Sequence, residues 1–418
     1  MGTFLTDLEK MLISKYNTCH QMLPGNQDVL AVRNRLFQDF CNQGFPTPKV
    51  EFWHYTNLKT LLKSLPEDKE FSFDNLVPDC LVKDSYQLFV KQGKAYDTKI
   101  TGINIDRFSQ FLENGKAVEN LASLGQHDAI GYVNGIFVQD GYVIHIPDNS
   151  CFLKPIELQS LYAGGQAHVR FSVRFGAKSK ATFIERHRAM TTNNSFVSSI
   201  SEIRVGAGAE VVWVMIQQQG KDDVHLGQLR IILEKEASLK LVVINAGGSL
   251  VRQEIFLDIN GKDSGMMLRG INLLRNETHN DLSVVLHHNT IDTRSSQIIR
   301  NVVLDQANGV FQGMIRVARD AQRTDARMAC NSLLVSNKGS FSVKPELEIF
   351  ANDVQCGHGA TISDIDHRHL YYLMARGIPE CKARSLLIHA FIIEILSDLE
   401  DPQLIEAVEN IFSLWLEK

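Results

Sequence analysis

One histidine in this sequence stands where a side chain could do chemistry. His358 lies between Gly357 and Gly359, in the string QCGHGAT that runs from Gln355 to Thr361. With no side chain on either neighbour, the imidazole can be approached closely, and its nitrogen is a borderline-soft donor suited to iron. Cys356, two residues earlier, projects to the same side if the segment is extended, and a thiolate there would help to ligate an iron–sulfur cluster. Taken alone, these residues leave other readings open. A single histidine in a glycine turn commonly serves structure, and Cys356 reads equally well as a buried, inert thiol.

Nothing else in the sequence proposes catalysis. It has no Gly-x-x-x-x-Gly-Lys-Ser/Thr loop to cradle phosphates, no Gly-x-Ser-x-Gly elbow, no His-Glu-x-x-His, and no Gly-x-Gly-x-x-Gly between a strand and a helix. A polysaccharide-acting β-helix enzyme would need a groove of paired carboxylates or calcium ligands. Asp292, Asp305, Asp320 and Asp325 are too scattered to form one.

The element that must present His358 is extended chain. Phe311, Gly313, Ile315 and Val317 alternate with Val310, Gln312, Met314 and Arg316, and Leu347, Ile349 and Ala351 alternate with Glu346, Glu348 and Phe350. A period of two sorts residues onto the faces of a strand, never of a helix. Further upstream, Val169, Phe171, Val173 and Phe175 point one way and Arg170, Ser172 and Arg174 the other, one face buried and one wet. Similar runs recur between Ala181 and Leu304, separated by glycine-rich turns such as Gly206-Ala-Gly208 and Gly247-Gly248. The stretch Gly131 to Asn149 also reads as hairpin-like or stacked short strands. A long succession of short strands without intervening helices leaves a sandwich, a barrel, a propeller or a solenoid. The inside–outside alternation and the absence of blade signatures favour a β-helix, with rungs of about 20 residues or more.

Helices flank this body. Leu5, Leu8, Met11, Leu12 and Tyr16 form one apolar stripe and Val29, Leu30, Arg33, Leu36, Phe37 and Phe40 another that is mostly apolar, within a helical region from residue 3 to about 43 that Gly44 ends. Trp53 and Tyr55 follow in a segment expected to pack on the main body. From Ser72 to Glu119 the pattern is irregular, with a short strand at Tyr86 to Lys91 and a helix at Asn104 to Leu112. After the histidine, Ser363 to Asp366 resembles a capping box. Apolar stripes then follow in three helices, the later two opened by Pro379 and Asp401-Pro402. The expected units are an N-terminal helical domain (1–73), an irregular connecting segment (74–128), the β-helix core (129–361) and a C-terminal helical domain (362–418).

Composition bounds the rest. The chain has 418 residues, 44% of them hydrophobic, enough for a large core. A net charge of −5 argues against a nucleic-acid or anionic-membrane surface as the main partner. The start MGTFLTDLEK has neither a basic nor an apolar leader region, and no apolar run is long enough for a membrane span, so a cytoplasmic protein is expected. Seven scattered cysteines without a Cys-x-x-Cys pair read as reduced thiols.

Several ordered strings resemble one family. SSQIIRNVVLD, GVFQGMIRVARDAQRTDA, NSLLVS, KPELEIFANDVQCGHGAT and YYLMARGI are similar to the SufB/SufD family of the SUF iron–sulfur cluster assembly machinery. GFPTPKVEFWHYTNL resembles a further segment of it. The resemblance implies a right-handed parallel β-helix between α-helical domains. It also implies a noncatalytic scaffold that pairs with a SufB-like sister subunit through its C-terminal rungs, or with itself when the sister is absent. The C-terminal helices would bind SufC, an ABC-type ATPase. By the same resemblance His358 contributes to cluster formation at the interface with SufB. Cys330, in CNSLLVS, matches a cysteine that SufB is thought to use in cluster building, while core packing is its default reading. Where SufB tends to read Glu-His-Glu-Ala-Thr, this chain reads Gly357-His358-Gly359-Ala360-Thr361. The flanking carboxylates are absent, which favours a SufD-like over a SufB-like, self-sufficient cluster scaffold. No tightly bound cofactor is expected in the isolated subunit, only transient iron or an iron–sulfur cluster in the complex.

Overall fold

A computed structural model describes residues 5–68, 71–73 and 78–417. Its body is a parallel β-solenoid of two sheets, one of ten strands and one of nine, with successive strands alternating between them. From Asp140 onward each strand pairs in parallel with the next strand of its own sheet, about 30 residues further along. His279 lies opposite Asn308, and Asn308 opposite Ser340. The rungs are thus longer than the minimum the sequence suggested.

In-register stacking explains why so degenerate a repeat holds its register. Phe183, Trp213, Leu241 and Leu268 form one inward column, with the Phe183 and Trp213 rings stacked at 5.2 Å. A slip of one residue would turn every such column out of the core. The corners repeat as well. Lys178, Gly208, Glu236, Asp263, Asp292 and Arg323 all have positive φ, one per turn of the coil. Their backbones link rung to rung, as where Gly208 N donates to Lys235 O and Glu236 N to Lys262 O. Only one of these six is glycine; the others hold a left-handed conformation that costs non-glycine residues energy, which the ladder around them offsets.

The two sheets are roofed by opposite ends of the chain. Helices Asp7–Cys19, capped by Thr6 and Glu9, and Gln27–Gln43, capped by Asn26, bury Leu8, Leu12, Tyr16, Val29, Leu36 and Phe40. They lie over the outer face of the nine-stranded sheet, where Phe196, Ile200, Leu226 and Leu250 meet them. The helical start expected at residue 3, and the boundary expected near residue 74, fall outside the described residues. Helices His367–Ala375, Glu380–Ile393 and Pro402–Glu417 lie over the outer face of the ten-stranded sheet, burying Ile388, Ile392, Val408 and Phe412 against Val214, Val242 and Ile271. Among the described residues no helix is long and apolar enough to cross a membrane.

Three local expectations are corrected. Ala129–Phe137 is an α-helix, not strands. All nine of its residues are buried, so it has no polar face to mark a period. Gly135 sits in it because a Cβ there would lie 2.6 Å from Leu36 of the neighbouring helix. The helix expected from Asn104 begins only at Phe108, because Asn104–Arg107 pairs antiparallel with Tyr142–His145. Arg170, on the face expected to be wet, is fully buried under the N-terminal roof and donates to Asn120 O.

The N-terminal segment reaches further along the coil than its helices do. Trp53 and Phe52 lie against the Arg252 guanidinium, at 3.8 and 4.9 Å from their ring centres. Arg252 is fully buried, pairs with Glu254 at 2.8 Å and with Asp281, and donates to Phe52 O at 2.8 Å. Gln312 donates to the same carbonyl at 3.2 Å, and Lys344, on the last strand of the nine-stranded sheet, meets Glu51 at 2.6 Å.

Candidate functional site

His358 lies at the end of the coil where the next turn would begin. Among the described residues, Gln355–Ser363 is the last strand of the ten-stranded sheet and pairs only with Asp325–Leu334, and Ser340–Ile349 is the last of the nine-stranded sheet and pairs only with Asn308–Val317. Both present a free backbone edge.

The register determines which way each candidate points. Cys356 lies opposite Ala326, His358 opposite Met328 and Ala360 opposite Cys330. Ala326, Met328 and Cys330 are buried members of the solenoid core, and in-register parallel partners share a face. All three candidates therefore lie on the inward face. With no turn beyond it, His358 is exposed while Cys356 is half-buried against the core.

The surroundings of His358 are apolar. From the facing sheet come Phe341, Val343, Leu347 and Ile349, the partners in register of Gly309, Phe311, Ile315 and Val317. Equivalent positions one turn earlier are fully buried: Phe311, Ile315 and Val317. In the last turn Ile349 is 40% exposed and Ile362, two positions beyond Ala360 on the inward face, is 45% exposed. The coil thus ends on its own uncovered core, with an imidazole set in it.

The glycines beside His358 do not make a turn. Gly357 and Gly359 lie within the strand, neither has positive φ, and a Cβ on either would meet nothing within 4 Å. They leave the outer face of the last strand bare.

Cys330 is set apart from this surface. It is 1% exposed, and burial pushes its thiol up to about 12, so the protonated form prevails near neutral pH. Asn301 Nδ2 donates to its Sγ at 3.3 Å and to Ser332 Oγ at 3.0 Å. Asn301 in turn ends a ladder in which Asn245 donates to Asn272 and Asn272 to Asn301, each at 2.7 Å. One strand and two residues separate Cys330 from His358, Cα positions roughly 8 Å apart. Burial also raises the Cys356 thiol above its ordinary value. Among the described residues no group of three or more His, Cys, Asp or Glu side chains could hold a metal ion. The sequence pointed to the donors but not to the apolar ring around them, because the alternation of Phe341 to Ile349 looks the same in a covered rung and an uncovered one.

Comparison with known proteins agrees with this architecture. The chain is 26% identical over 380 residues to the iron–sulfur cluster assembly protein SufD of Escherichia coli, covering 89% of each chain. It is 28% identical over 298 residues to an iron–sulfur cluster assembly SufBD family protein of Synechocystis, covering 67% of this chain and 66% of that one. Against the iron–sulfur cluster assembly protein SufB of Bacillus subtilis it is 25% identical over 201 residues, 48% of this chain and 43% of the other. The SufBD protein N-terminal region matches residues 6–87, and the SufBD core domain of the SUF system for FeS cluster assembly matches residues 159–391, more than half of the chain. With a solenoid core, roofing helices at both ends and these matches, the chain belongs to the SufBD family of iron–sulfur cluster assembly proteins.

Proposed function

We propose that this chain is a noncatalytic, SufD-like scaffold subunit. Its open coil end pairs with the corresponding end of a SufB-like sister, and His358 is lent to an iron or nascent cluster site shared across that joint. The observation that carries the proposal is the uncovered core of the last turn. Two unpaired strand edges and half-exposed Leu347, Ile349 and Ile362 surround a single exposed imidazole. Such a surface is a template for strand and core continuation by a second coil, and a second copy of this chain is the alternative occupant when the sister is absent.

The iron or cluster is cargo, and this chain supplies only part of its cage. His358 provides a nitrogen donor, and Cys356, once deprotonated, would provide a sulfur beside it on the same face. The remaining ligands must come from the partner. A scaffold that builds a cluster alone would need several accessible donors, whereas Cys330 is buried and held protonated.

The C-terminal helices are the proposed seat of an ABC-type ATPase subunit. They leave Tyr371 74%, Tyr372 57%, Leu386 44% and Leu414 59% exposed, more apolar surface than roofing the sheet requires. Co-expression with a SufB homologue and its ATPase tests both contacts. Leu347→Asp with Ile362→Asp is expected to abolish co-purification of the sister, and Tyr371→Asp with Tyr372→Asp that of the ATPase. Full recovery of either partner would refute the corresponding contact.

A further inference from the structure

Directly beneath His358 the core changes character. Its inward column in the ten-stranded sheet reads Phe183, Trp213, Leu241, Leu268, Gln297, Met328 and His358, one residue per turn. Met328 is 3% exposed and belongs to the solenoid core, whereas His358 is exposed. Register sets the two one strand spacing apart, about 4.8 Å.

The facing sheet makes room for Met328. There the inward column reads Phe171, Ser201, Leu229, Ile255, Val284, Gly313 and Pro345, and of these Gly313 alone lacks a side chain. Gly313 has no positive φ, so its backbone does not call for glycine. The space above it does. A Cβ on Gly313 would lie 2.5 Å from Met328 Sδ, 2.8 Å from Met328 Cε and 2.8 Å from Phe311 Cζ. The methionine thus crosses the core and seats its tip over Gly313, one turn below the open end. An unbranched, flexible thioether suits such a seat.

A side chain pushed off that seat has one way to go. Gln297 in the turn below, and Phe311 and Ile315 on either side of Gly313, are buried. The open end, where His358 stands, is uncovered. We propose that Met328, seated over Gly313, is the floor of the shared site and a positioning residue that sets the height of the His358 imidazole against the joint. It is not itself a donor, because its sulfur is turned across the core. The inference rests on the shared-site reading of His358 and adds to it the pair of residues that hold the ring.

Complexes co-expressed with the sister and the ATPase carry the test. Each is read for sister recovery, for iron and sulfide, and for the spin-echo modulation that an imidazole nitrogen imposes on the reduced cluster. Gly313→Ala, which raises the floor, and Met328→Ala, which lowers it without crowding the core, should keep the sister. Both should lose at least about twofold in iron and sulfide and weaken the nitrogen signature. Met328→Leu, which keeps the volume without the sulfur, should match wild type, and Gly313→Ala with Met328→Val should recover most of what Gly313→Ala loses. Wild-type cluster content and nitrogen signature in Met328→Ala or in Gly313→Ala would overturn the floor. A loss in Met328→Leu equal to that in Met328→Ala would also overturn it, since the sulfur would then be a ligand. His358→Ala in the same series separates the two readings. No effect of that variant removes the shared site itself, whereas an effect of His358→Ala without one of Met328→Ala removes only the floor.

Discussion

At the scale of single residues, the three donors separate by position on one face. Cys330, Cys356 and His358 all lie inward, yet only the last turn gives them access to anything beyond the chain. The thiolate is the reactive form of cysteine, so a buried thiol held near 12 is expected to be inert. Native-state alkylation at pH 7.5, read by mass spectrometry, should label the exposed Cys151 and Cys381 at least about tenfold faster than Cys330. Comparable rates would show that Cys330 is reached through opening of the last turns and would return it to the candidate donors. Sequence alone could not rank these residues. The string CNSLLVS and the string CGHG each carry a cysteine in extended chain, and full burial of one and half-burial of the other follow from their rungs.

At the scale of elements, the N-terminal segment braces the turns that lead to the open end of the coil. Arg252 sits between Glu254 and Asp281 under the rings of Phe52 and Trp53, and all four side-chain partners converge on one guanidinium. Burial raises the Glu254 pKa while Arg252 opposes that rise. Arg252→Met leaves two buried carboxylates without their cation and is expected to cost about 3–5 kcal/mol, read as a drop in the urea midpoint. A loss below about 1 kcal/mol would mean that the carboxylates are protonated or solvated in the fold. The strands themselves were legible, since Val169 to Phe175 alternate visibly. Burial of Arg170 was not, because it is covered by residues distant in the sequence, Asn120 fifty positions earlier among them. The helix Ala129–Phe137 was hidden for a related reason: surrounded on every side, it displays no period.

At the scale of the whole molecule, the solenoid buries histidines in their neutral form, which links stability to pH. Burial lowers the pKa of His288 to about 4 and of His168 to about 3, and also lowers those of His225 and His279. The unfolded chain takes up protons at these sites as pH falls through about 6.5, before the folded chain does, so stability falls with decreasing pH between about 6.5 and 4. The urea midpoint should decline across that window. His288→Gln, which can keep the bonds to Thr293 and Ser295, should flatten the decline. An unchanged slope would remove His288 from the acid sensitivity. At this scale the class of fold was legible in the alternation and in the family strings. That the last rung has no covering neighbour among the described residues follows from the stacking of the strands and has no signature in the alternation.

Iron and sulfide per assembled complex test whether His358 belongs to a site completed by a second chain. Wild type and His358→Ala should be co-expressed with the sister and the ATPase, purified anaerobically and assayed side by side. The exposed position predicts unchanged folding and partner recovery for His358→Ala, with iron and sulfide falling several-fold. Equal cluster content in the two complexes, with the sister bound in both, would remove His358 from the shared site.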